Sequence, residues 1–99
     1  LHEQDRTLRQ QMIDLLRGEE MTDRDISQAL GIPEKDVYGH LDHIARSLAP
    51  RGLRLKIRPA RCMSCGFEFR NRRRWSKPGR CPRCKESHLE RPSYFIDEG

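Results

Sequence analysis

The stretch TDRDISQALGIPEKDVYGHLDHIARSL, residues 22–48, holds two apolar periodicities separated by a glycine. Thr22 with Asp25 three positions on is a capping-box variant, and it opens a short helix whose apolar residues are Ile26, Ala29 and Leu30. Gly31 stops it. Pro33 suits the first turn of a second helix, where a missing N–H costs nothing, with Glu34 and Asp36 near its positive end and Arg46 near its negative end. Val37, Leu41, Ile44 and Leu48 are spaced by four, three and four, so this longer helix carries a core stripe to about Ala49. Pro50 and Gly52 then close it. Short helix, turn and longer helix follow in helix-turn-helix order.

Towards the N-terminus, Leu8, Met12, Leu15 and Leu16 draw one apolar stripe on a helix over Asp5 to Arg17 that ends at Gly18. The three stripes pool into one small core. Beyond Gly52 the period changes: Leu53, Leu55 and Ile57 alternate with Arg54, Lys56 and Arg58, as in a half-buried strand with a basic outer face. A domain boundary is expected there, dividing the chain into a helical unit at 1–52 and a second unit at 53–99. Strand-like alternation returns at Phe67 and Phe69 and in the tail Ser93, Tyr94, Phe95, Ile96.

The second unit contains CMSCGFEFRNRRRWSKPGRCPRC, residues 62–84. Cys62 and Cys65, then fifteen residues, then Cys81 and Cys84 match the spacing of a four-cysteine zinc site. Each pair chelates from a tight turn, and Gly66 lets the backbone turn its amides towards the sulfurs. The expectation is one structural Zn2+ held by Cys62, Cys65, Cys81 and Cys84. Free thiols and disulfides are the bland alternatives, and disulfides suit a cytosolic chain badly. CxxCG followed by CPxC also resembles rubredoxin, and sulfur ligation alone does not choose between iron and zinc. That family's chains are typically acidic, whereas this spacer is rich in arginine. His88 is read as a surface residue because four cysteines complete the site, and His40 with His43 as a solvated pair lacking further ligands.

With 34% hydrophobic and 35% charged residues in 99, the chain has little apolar surface to bury, so a metal would contribute folding free energy that the ribbon cannot supply itself. No run of about 18 apolar residues and no charged-then-apolar leader occurs, so the expected location is cytoplasmic, with no membrane partner. The chain starts at Leu1 and not at Met, which leaves room for a short segment before it, and no processing event is read from that. The formal charge of +5 is concentrated: residues 51–91 hold fourteen Lys and Arg against three Glu. Such a field attracts polyanions, of which nucleic acid is the commonest.

The helix-turn-helix, the strand after Gly52 and the CMSCG and CPRCK knuckles together resemble the prokaryotic predicted transcriptional regulators that fuse a winged helix-turn-helix to a zinc ribbon. The resemblance covers nearly the whole chain. It implies an α+β fold, an N-terminal three-helix winged helix-turn-helix followed by a small C-terminal β zinc ribbon, with DNA bound by residues 33–49 and metal by the four cysteines.

Candidate nucleic-acid contacts are Lys35, Tyr38, His43 and Arg46 on the third helix and Arg70, Arg72, Arg73, Arg74, Trp75, Lys77 and Arg80 in the spacer. Arg donors suit phosphate oxygens, and an indole stacks on bases or holds a guanidinium. The third helix also carries Glu34, Asp36 and Asp42, a poor anchor for phosphates. A packing or protein-binding scaffold therefore stays open as its reading. The sequence favours a non-enzymatic, zinc-stabilised regulator of transcription that binds double-stranded DNA. An adaptor whose ribbon meets RNA or an acidic protein is the runner-up, and an iron carrier the third class. A homodimer is compatible with either of the first two. No Ser, His and carboxylate set with a local signature argues for an enzyme.

Overall fold

The computed structural model describes residues 2–70 and 74–98. Helix α1 spans His2–Gly18, strand β1 Met21–Thr22, helix α2 Asp23–Leu30 and helix α3 Glu34–Leu48. The capping box forms in full: the Thr22 hydroxyl accepts from the Asp25 amide, and the Asp25 carboxylate accepts from the Thr22 amide, both at 3.1 Å. Gly31 ends α2 at φ 68°, its amide donating to the Ser27 carbonyl. Pro33 stands at the cap of α3, one position outside the helix.

The stripes converge as the spacing requires. Val37, Leu41, Ile44 and Leu48 of α3 are all 0% exposed, and they pack with Met12, Ile13 and Leu16 of α1 and Ile26 of α2. Each such side chain contributes roughly 1.5–3 kcal/mol on burial. Ile13 joins this core where the sequence pattern pointed to Leu15, which is half-buried at its edge.

Strand β2 (Arg54–Arg58) and strand β5 (Ser93–Asp97) pair antiparallel along their length, and β5 also pairs with β1, giving a three-stranded sheet in the order β1-β5-β2. Leu55 faces Ile96 and Ile57 faces Tyr94, so alternation turns all four to the helices while Arg54, Lys56 and Arg58 line the outer face. The outer-face prediction for these three cations holds. The tail corrects the sequence reading. Assigned with the ribbon, it is the central strand of the sheet against the helices, and Tyr94 is fully buried in their core. Its pairing partners lie more than thirty residues away, which no local pattern reveals.

Residues 59–92 therefore leave the sheet after β2 and return to it at β5. Within them, strand β3 (Arg61–Cys62) pairs with strand β4 (Leu89–Glu90), and a single further pairing joins Arg61 to Glu68. The Phe67 and Phe69 rings meet edge to face at 5.1 Å. The whole is an α+β fold: three helices in helix-turn-helix arrangement, a small antiparallel sheet and a β ribbon bearing the four cysteines. Among the described residues no helix is long and apolar enough to cross a membrane.

Candidate metal centre and its seam with the helices

The four cysteine sulfurs come together from the two ends of the ribbon. Cys62 Sγ lies 3.5 Å from Cys84 Sγ, Cys65 Sγ lies 3.7 Å from Cys81 Sγ, and all four lie within 4.8 Å of one another. A tetrahedral ion with metal–sulfur bonds of about 2.3 Å sets its ligands about 3.8 Å apart. The cluster fits one such ion, and four protein sulfurs fill its shell. His88 stands outside the cluster and contributes its backbone carbonyl to the Met63 amide.

The two knuckles are built alike. Cys62 N–H donates to the Phe67 carbonyl at 2.8 Å and Cys81 N–H to the Glu86 carbonyl at 2.9 Å; Gly66 and Lys85 amides then donate back to the carbonyls of Cys62 and Cys81. Each turn needs a left-handed residue after its second cysteine, Gly66 at φ 81° and Lys85 at φ 69°. Burial raises the Cys62 thiol, but the amides of Cys65 and Ser64 outweigh it and bring it down to about 6. At Cys84 the Glu86 amide lowers the pKa, yet burial and the neighbouring sulfurs push it up to about 12. Thiolate formation is thus uneven across the cluster, and an ion that binds all four displaces the remaining protons.

The ribbon is not a free appendage. Glu34, Tyr38 and Asp42, one helical face of α3 at four-residue spacing, each meet a group from residues 75–91. Arg91 Nη1 donates to Glu34 Oε1 at 2.7 Å and to Oδ1 of Asp23 at 2.8 Å. Asp23, fully buried at the start of α2, also accepts from the Tyr38 hydroxyl and, at 2.7 Å, from the Arg24 amide. Burial and the Asp23 carboxylate push the Tyr38 phenol up to about 12, although the Lys77 amide donates to it. The Trp75 indole N–H reaches Asp42 Oδ1 at 3.4 Å, and Arg46 holds Oδ2 of the same carboxylate at 2.9 Å. The Trp75 ring tilts against Tyr94, centroids 6.2 Å apart, and the Tyr94 hydroxyl donates to the Trp75 carbonyl.

These contacts sort the candidate nucleic-acid residues. Lys35, His43, Arg74, Lys77 and Arg80 are exposed. Arg46 is paired with Asp42, and Arg70 with Glu68 at 2.9 Å. Tyr38 and Trp75 are half-buried in the seam, their polar atoms engaged. Arg72 and Arg73 lie outside the described residues. Arg91 and Asp23 were not singled out by the sequence, since an arginine among many and an aspartate beside a cap carry no local signal of a contact 68 residues apart. Nor was the bond from Arg9 Nε to His40 Nδ1, 3.2 Å across α1 and α3.

Among proteins of curated function, none matches this chain. Its fold is similar to that of protein PF0610 from Pyrococcus furiosus, solved by NMR in solution: the TM-score is 0.79 at 28% identity, over 94% of this chain and 90% of that one. The sequence pattern of the PF0610-like N-terminal region matches residues 7–56, half of the chain, and the chain therefore belongs to the PF0610-like family.

Proposed function

We propose that this protein is a DNA-binding regulator of transcription, in which α3 enters the major groove of a duplex and a single structural zinc ion holds the ribbon that flanks it. The observation that carries this reading is the fate of two of the three acids on α3. Glu34 is bound by Arg91, and Asp42 is bound by Arg46 on one oxygen and by Trp75 on the other. Two carboxylates that would repel phosphate are thus compensated before any ligand arrives. The outward row of α3 is then Lys35, Asp36, Gly39, His43 and Arg46, and exposed Arg74, Lys77 and Arg80 border it from the ribbon.

In this reading the four thiolates supply the ribbon's missing core, and zinc does no chemistry of its own. Arg74, Lys77 and Arg80 contact phosphates and set affinity, while His43 reaches base edges and sets preference. The experiment is selection of genomic duplexes by the metal-loaded protein, with single-stranded RNA as competitor and metal analysis of the same sample. One zinc per chain and recovery of a shared duplex sequence are expected. Recovery of RNA alone, or a red iron-loaded protein, would sink the assignment.

A further inference from the structure

We infer that the groove between α1 and α3 is a seat for one backbone phosphodiester of nucleic acid, a contact apart from the ribbon and bordering the outward row of α3; the identity of the ligand rests on the DNA-binding reading. The groove has a volume of about 440 Å³ and is lined by Arg9, Lys35, Asp36, Gly39 and His40.

Its floor is the first argument. Gly39 lies in the interior of a fifteen-residue helix, where glycine costs about 0.5–1 kcal/mol relative to alanine. Among the described residues nothing requires it: a Cβ built there meets no atom within 4 Å, and the residue is not in the left-handed region. The space that the missing methyl leaves is open to the groove that Gly39 helps to line, and an added methyl would occupy part of it.

The walls are the second. Arg9 Nε donates to His40 Nδ1, and an imidazole that accepts at Nδ1 carries its N–H at Nε2. That bond fixes two donor sets: the His40 Nε2–H, and the Nη groups of Arg9, which no carboxylate of residues 6–70 or 74–98 binds. Lys35 adds a third. With Asp36 opposing them, the lining carries a formal charge of +1 from Arg9, Lys35 and Asp36. A diester is a singly charged anion and matches it, whereas a dianionic phosphate monoester exceeds it. If α3 lies in the major groove, this seat falls on the α1 side of that helix and the Lys77 and Arg80 cations on the ribbon side, so both flanking backbones are gripped.

The test measures wild type, Gly39→Ala, Arg9→Ala and Arg9→Lys for melting temperature and for duplex affinity across a salt series. Gly39→Ala should melt a few degrees higher, as expected of a helix relieved of glycine, yet bind DNA at least tenfold more weakly. Arg9→Ala should lower the salt slope by about 0.9, and Arg9→Lys should restore the slope. A Gly39→Ala protein that is more stable and binds as wild type overturns the seat. Should wild type bind no duplex, the regulator reading fails, and the seat is judged by NMR titration with dimethyl phosphate against inorganic phosphate. Shifts at the Gly39 amide and the His40 ring, larger for the diester, sustain it; their absence overturns it.

Discussion

At the scale of single residues, Lys85 and Gly66 occupy equivalent places in the two knuckles, yet only one of them is a glycine. A non-glycine residue in the left-handed region is strained by roughly 1–2 kcal/mol, of which a glycine recovers part because it loses more freedom on folding. Lys85→Gly should therefore stabilise the ribbon by about 0.5–1 kcal/mol, and Gly66→Ala should destabilise it by about 1–2 kcal/mol. Competition with a chromophoric chelator reads both changes. Tyr38 gives a second residue-scale outcome. Its folded pKa of about 12 lies above its ordinary value of 10.0, so the fold favours the protonated phenol. The associated stability is complete below pH 10 and is lost as pH rises towards 12. Denaturant melts over that range should show a loss that Tyr38→Phe abolishes. A wild type and variant that fall together would place the alkaline sensitivity elsewhere.

Elements show how far local pattern reaches. Helices α1, α2 and α3 were legible because a helix bonds within its own segment, and the spacing of Val37, Leu41, Ile44 and Leu48 already states which face is buried. The cysteine cluster was legible for a related reason: two-residue spacing within each pair is itself chelate geometry. Strand β1 was not, since two residues have no period, and β5 was visible as a strand but not as a neighbour of Met21. Nothing in an alternating run names its partner. The seam was equally silent, because Trp75 beside arginines reads the same whether it faces a base or Asp42. Metal removal should divide these elements. Chelation is expected to open 59–92 to amide exchange while Ser93–Asp97, anchored by Tyr94 and Ile96, stays protected with the helices. Emission from Trp75, the sole tryptophan, should shift to the red as it leaves Tyr94. Equal exchange across 93–97 and the ribbon would show that the sheet depends on the ion directly.

For the molecule as a whole, the pairing of Arg58 with Ser93 sets a relation between ion and sheet that no contact carries. Those two residues face each other, and the thirty-four between them form the loop that the β2–β5 pair must close. Without metal that loop is long and its closure costs chain entropy. With Cys62 and Cys84 tied through one ion, the path from strand to strand shortens to about a dozen residues, and the closure term falls by about 1 kcal/mol. An ion bound there would thus favour the central strand of the helical unit by restricting what the unfolded chain can do. This contribution should persist when the Trp75 and Arg91 contacts are deleted. Metal-loaded and metal-free forms of a Trp75→Phe, Arg91→Gln protein should still differ by that amount in the opening free energy of the β2–β5 amides. Identical values would mean that the ion acts on the sheet through side-chain contacts alone.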